Sequence, residues 1–168
     1  KNAILGGPPP LETVTQINRI LAEYPGVLGV HDLVVHNYGP GHVIVTLHAE
    51  VDGKKDVFAT HDMIDTIEKR ICRECGIRAT IHMDPIVTDD AAVNALRDVV
   101  LAEVRAVDPS LSIHDFRFVA GPTHSNLIFD LAVPFECPRS NEELRRAVSS
   151  RLSRLDPSYF SVITVDRG

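Results

Sequence analysis

Apolar side chains recur every three to four residues at Leu11, Val14, Ile17 and Leu21, the interval that lines one face of a helix. That pattern breaks at Pro25-Gly26. Two β-rich runs follow, residues 27–37 and 43–51, joined by Tyr38-Gly39-Pro40-Gly41, whose Gly and Pro favour a tight reversal. Ile64, Ile67 and Ile71 mark a second helix that should stop at Gly76, and a short strand spans residues 77–83. The order is α-β-β-α-β.

The same order returns further along. A helix after Thr88-Asp89-Asp90 carries Val93, Leu96, Val100 and Val104 on one face. Strands are expected near residues 112–119 and 126–133, then a helix with Leu144, Ala147, Val148 and Leu152, and a last strand near residues 160–165. Identities follow the pattern: His31-Asp32-Leu33 aligns with His114-Asp115-Phe116, and Gly39-Pro40-Gly41-His42 with Gly121-Pro122-Thr123-His124. Ile81-His82-Met83-Asp84 aligns with Ile163-Thr164-Val165-Asp166. The offset falls from 83 to 82, which places the loss of one residue in the first strand. The expected architecture is therefore α+β, two tandem α-β-β-α-β modules, each a three-stranded sheet with two helices on one face. Residues 11–87 form the first module and 88–168 the second. Residues 1–10, which include Gly6-Gly7-Pro8-Pro9-Pro10 and lack an initial Met, read as a linker from something upstream.

Strand parity assigns the open sheet face. In the second strand Val43, Val45, Leu47, Ala49 and Val51 point to the helices, which sends Thr46, His48 and Glu50 the other way. In the third, Ile77, Ala79, Ile81 and Met83 point in, so His82 and Asp84 stand two apart on the open face. His31 adds a fourth candidate, although Val30, Leu33, Val34 and Val35 blur the alternation of its strand. Imidazole and carboxylate together suit borderline divalent ions, and a four-coordinate site needs about this many donors. His61 follows Thr60, which reads as an N-cap, so the imidazole would sit at the positive end of the second helix.

Composition narrows the classes. Apolar residues make up 44% of the 168 and charged ones 24%, ordinary for globular protein with two cores. The net charge of −6, with scattered Lys and Arg, argues against a nucleic-acid partner and suits cations. No run approaches the roughly 20 apolar residues that span a bilayer. Three cysteines do not make an even disulfide set, and Cys72-Arg73-Glu74-Cys75 offers two thiols where a zinc site needs four ligands, so free thiols are expected. His36, His42 and His124 fall in or beside hairpin turns. No nucleophile triad, phosphate-cradling loop or metalloprotease helix motif is present.

Gly29-Val30-His31-Asp32-Leu33, Gly39-Pro40, Leu47-His48-Ala49-Glu50, His61-Asp62-Met63-Ile64-Asp65 and Ile81-His82-Met83-Asp84-Pro85 resemble, in order and spacing, the cytoplasmic domain of cation diffusion facilitators. The likeness covers residues 11–87. It implies a metallochaperone-like ferredoxin fold that pairs with its twin through the open sheet face and binds metal there. His31, His48, His61, His82 and Asp84 match the family's ligand positions. The ion is expected to be zinc first, with cobalt, cadmium, manganese and iron also admitted. The resemblance further implies a homodimer on the cytoplasmic side of a membrane, attached to its own transmembrane domain of six helices where metal is exchanged for protons. The role implied here is sensing and dimerisation, not catalysis. In the second module the equivalent positions are His114, Asp130, Glu143, Thr164 and Asp166, and its open face also bears Ile128, Phe160 and Val162, so a packing module is expected. A free-standing metal- or ligand-binding module and a metal-dependent enzyme remain as alternatives.

Overall fold

The computed structural model describes residues 11–168, so the segment read as a linker lies outside the described residues. The chain divides at Pro85/Ile86 into two compact units. In the first, the elements are α1 (Leu11–Ala22), β1 (Gly29–Asn37), β2 (Val43–Asp52), α2 (Val57–Cys75) and β3 (Arg78–Ile86). In the second they are α3 (Asp90–Val107), β4 (Ser112–Ala120), β5 (Ser125–Val133), α4 (Asn141–Leu155) and β6 (Tyr159–Arg167). Each sheet has three strands, ordered β1-β2-β3 and β4-β5-β6. The repeated α-β-β-α-β architecture is as expected.

One core closes each unit. Ile17, Ile20 and Leu21 of α1 and Ile64, Ile67 and Ile71 of α2 meet Val45, Leu47, Ala49 and Val51 of β2 and Ile81 of β3. Both helices therefore cover the same sheet face, and the alternation of β2 decides which. The second core repeats this with Val100 and Val104, Leu144, Val148 and Leu152, and Leu127, Phe129, Leu131 and Val133. Helix ends follow local chemistry. Gly76 takes φ 67° and returns its N–H to the Cys72 carbonyl, a left-handed cap that spares a Cβ clash. Asp89 accepts from the Ala91 and Ala92 amides, and Ser140 from the Glu143 amide.

Two expectations need correction. The N-cap of α2 is Asp56, whose side chain accepts from the Ala59 amide, and Thr60 lies inside the helix with its hydroxyl on the Asp56 carbonyl. His61 is therefore in the second turn of α2, beyond the first-turn amides that make a helix start electropositive. Nor is the missing residue lost from the first strand. Asn37 pairs with Val43 and Ala120 with Ser125, which keeps β1 and β4 in step at an offset of 83 over their whole length. The deletion is in the hairpin turn, five residues in the first unit (38–42) and four in the second (121–124). Gly39 and Gly41 adopt φ of 117° and 74° in the longer turn, conformations a side chain would strain.

The blurred alternation of β1 has a physical origin. The register with β2 shifts between His31 and Val34, and Asp32 sits at φ 51°. One extra residue is thereby absorbed, so Val30, Leu33 and Val35 all reach the core while His31 stays opposite His48. β4 carries the same irregularity between His114 and Arg117, with Asp115 at φ 52°. Aspartate tolerates the left-handed region better than most residues, which is why it serves at both bulges.

Candidate metal centre

β1, β2 and β3 each bring one face of their backbone to a common patch opposite the helices. Pairing of β1 with β2 sets His31 directly across from His48, their ring centroids 4.8 Å apart. His82 extends the row, 4.7 Å from His48. Asp84 of β3 lies beneath all three imidazoles. Its Oδ2 accepts from His48 Nδ1 at 2.9 Å and stands 3.2 Å from His31 Nε2, while its Oδ1 is 3.2 Å from His82 Nε2. The far side of His31 is held by Glu50, whose Oε2 is 2.9 Å from Nδ1.

These carboxylates are covered by the rings they bind. Asp84 is 6% exposed and Glu50 1%, whereas the His82 side chain keeps 67% of its surface. Burial pushes the Asp84 carboxyl up, but the hydrogen bonds from His31 and His48 and the nearby His82 outweigh it and hold the group below its ordinary value of 3.8. For His31, burial works against the charged ring, yet the bonds to Asp84 and Glu50 prevail and raise its pKa to about 9. A carboxylate kept ionised among imidazoles presents nitrogen and oxygen donors side by side.

Ligand atoms of His31, His48 and Asp84 all lie within 4.8 Å of one another. Four donors at about 2.0 Å around a tetrahedral zinc stand roughly 3.3 Å apart, so the trio needs only small side-chain adjustments to fit. His82 adjoins it through Asp84. His61 does not join the trio: it is exposed on α2. Glu50 was placed on the open face by parity, but nothing in the sequence distinguished it from a solvated acid. Its fold-specific contact with His31 does. Cys72, Cys75 and Cys137 are free, with Cys75 packed against the core and Cys72 exposed.

Residues 9–86 match the family model for the cytoplasmic domain of cation efflux proteins, ZT_dimer. The first module is a cytoplasmic domain of the cation efflux, or cation diffusion facilitator, family. Over 77 residues this cation efflux domain is 35% identical to the cation-efflux pump FieF of Escherichia coli O127:H6, a stretch covering 45% of this chain and 25% of that protein. With FieF of Yersinia enterocolitica serotype O:8 the identity is 34% over 71 residues, 42% of this chain and 23% of that one. The chain thus spans about a quarter of the length of the curated relatives it matches. A solved structure described as the metal-bound C-terminal domain of the CzcD transporter from Thermotoga maritima is 27% identical, covers 45% of this chain and 88% of its own, and superposes with a TM-score of 0.42. Among the described residues no helix is long and apolar enough to cross a membrane.

The partner module of the cation efflux domain presents a different face. His114 pairs with Asp130 where His31 pairs with His48, and both His114 and Asp166 are exposed. Asp130 has its pKa raised by burial, then by Asp115 and Asp166, against a smaller opposing pull from Arg117. Glu143 is exposed in the first turn of α4, its amide bound by Ser140. Ile128 is buried, while Phe160 is half exposed with its ring edge-on to His124 at 5.3 Å.

Proposed function

We propose that the chain is the regulatory, metal-sensing and dimerising part of a divalent-cation exporter, with residues 11–87 as the metal-binding module and 88–168 as a degenerate packing module. The observation that carries this reading is Asp84, a buried carboxylate held ionised by imidazoles from two neighbouring strands. A structural ion-pair network would need one histidine; three around one carboxylate suit a four-coordinate ion. His31, His48 and Asp84 would hold it, His82 would complete or extend the set, and His61 belongs to the set by its match to the family's ligand position. His/carboxylate donors accept zinc foremost, and cobalt, cadmium, manganese and iron by the same chemistry.

Binding at such a site supplies positive charge that neutralises Asp84 and replaces the shared protons of the rings. In the proposed exporter the ion would favour closed homodimers on the cytoplasmic side of the membrane, biasing the chain's own transmembrane domain, which is where transport would take place. A sensor needs this differential affinity between two states. Support for dimerisation comes from the family's designation and from the open sheet face bearing the site. The test is light scattering and small-angle scattering of the 168-residue chain with and without zinc. A zinc-dependent gain in dimer or a compaction, absent in His48→Ala/Asp84→Asn, supports sensing. Zinc binding with no change in either quantity would leave a buffer, not a sensor.

A further inference from the structure

Glu50 is among the most buried side chains in the molecule and one of two buried charged residues among those described. Burying a carboxylate is costly unless it is paired and hydrogen-bonded. Its Oε2 lies 2.9 Å from His31 Nδ1, on the opposite side of the ring from the Nε2 that faces Asp84. The backbone makes room for it: Gly29 is the Cα partner of Glu50 across the β1/β2 pairing, and a Cβ at position 29 would come 2.8 Å from Glu50 Oε1 and 3.0 Å from its carboxyl carbon. A side chain at 29 would require the carboxylate to shift from its place beside the imidazole.

The duplicate supplies a control within the same chain. At the equivalent pair in the second module, Ser112 stands opposite Ala132. Glycine and glutamate have both gone, while the histidine they serve survives as exposed His114. Core positions around them are kept in kind, since Ala49 and Val51 answer to Leu131 and Val133, all buried. The second module thus has the same fold without the pair. It is absent where the ligand positions His48 and His82 have become Asp130 and Thr164.

We infer that Glu50 is a positioning residue for the metal site, fixing the His31 ring with its proton on Nδ1 so that Nε2 is the nitrogen presented to a divalent cation, with Gly29 as the backbone clearance it needs. This rests on the metal-site reading above. A carboxylate behind a ligating imidazole orients it, sets its tautomer and raises its basicity, and removing such a partner typically weakens metal binding about 10–100-fold.

The test compares zinc titrations of the full chain with Glu50→Ala and Glu50→Gln, beside long-range 15N–1H spectra of the zinc-loaded histidines and the melting temperature of the metal-free forms. Glu50→Gln keeps an acceptor for Nδ1–H, so the expected order of affinity is wild type, then Gln, then Ala about 10–100-fold weaker. The spectra should show a protected Nδ1–H on His31 in the wild type and in Glu50→Gln, and its loss in Glu50→Ala. Gly29→Ala should reproduce the alanine phenotype with Glu50 intact. If the wild type binds zinc tightly and Glu50→Ala binds it equally, with the His31 tautomer unchanged, the inference is overturned and the metal site stands. Absence of binding by the wild type would overturn both.

Discussion

The two modules share element order, strand register, an aspartate bulge in the first strand and a core of matching positions, yet only one gathers imidazoles around a buried carboxylate. In the first, Asp84 is pulled below its ordinary pKa by His31 and His48 against the effect of burial. In the second, Asp130 occupies the place of His48 and is pushed upward by burial and by Asp115 and Asp166. One backbone thus carries imidazoles around an ionised carboxylate in one module and neighbouring carboxylates in the other. The alternating apolar positions and the bulge are sufficient for the fold, and the open face is free to carry a site or lose it.

The largest effect that would sharpen the contrast lies in the cores. Phe129, fully buried among Leu127, Leu131 and the helices, should cost about 3–5 kcal/mol when truncated to Ala, and Ile67→Ala in the first core about 2–5 kcal/mol. Because each core closes on its own residues, differential scanning calorimetry should show Phe129→Ala lowering the second module's transition while zinc affinity in the first stays within twofold of wild type. A collapse of zinc affinity in Phe129→Ala would break the picture of two self-contained modules.

Proton linkage should separate the modules next. His31 has a folded pKa of about 9 against an ordinary 6.5, so its contribution is fully present below pH 6.5 and is lost as pH rises through 9. Metal-free protein in chelator should therefore lose on the order of 2 kcal/mol in the first module between those values, a loss that His31→Phe removes. Asp84, lowered from 3.8, contributes above 3.8 and its share fades as pH falls below that value. Asp130, raised from 3.8, has the opposite sign: the second module is favoured as pH falls from neutral toward 3.8. Urea denaturation at pH 4, 6.5 and 9 would show whether the two transitions move in these directions.

The smallest effect concerns the bulges. Asp32 and Asp115 hold φ of 51° and 52°, where a Cβ costs roughly 1–2 kcal/mol and glycine relieves it. Asp115→Gly should leave stability unchanged or raise it by up to about 1 kcal/mol, and Asp115→Ala should lower it by a similar amount. The same changes at Asp32 should act alike on stability, and a shift in zinc affinity should accompany them only there, because only there does the bulge hold a ring in the cluster.

Much of this was legible from residue patterns. The alternation of β2 and β3 is clean, so the sequence alone puts His48, His82 and Asp84 on one face. His31 is less secure from the pattern, because the extra residue at Asp32 resets the phase and makes Val30, Leu33, Val34 and Val35 look contradictory. The start of α2 is ambiguous in the sequence for a different reason. Asp56 and Thr60 are both cap-forming residues four apart, and exposed Val57 and Phe58 hide the apolar stripe that begins at Met63 and Ile64. Glu50 illustrates the limit of parity. An acid two residues from a histidine on an outward face looks solvated, and only the tertiary meeting of β1 and β2 turns it into a buried partner of His31. The hairpin deletion was displaced for a simpler reason, since identities at Gly39-Pro40 align well and conceal the dropped residue just before them.

The most direct measurement of the central claim is a calorimetric zinc titration of the full chain beside two paired variants, His48→Ala/Asp84→Asn and His114→Ala/Asp130→Asn. Loss of ligands themselves should weaken binding by at least about a hundredfold in the first variant, more than loss of a supporting residue, and leave the second indistinguishable from wild type. Equal affinity in all three proteins, or loss only in the second variant, would contradict the assignment of the metal centre to the first module.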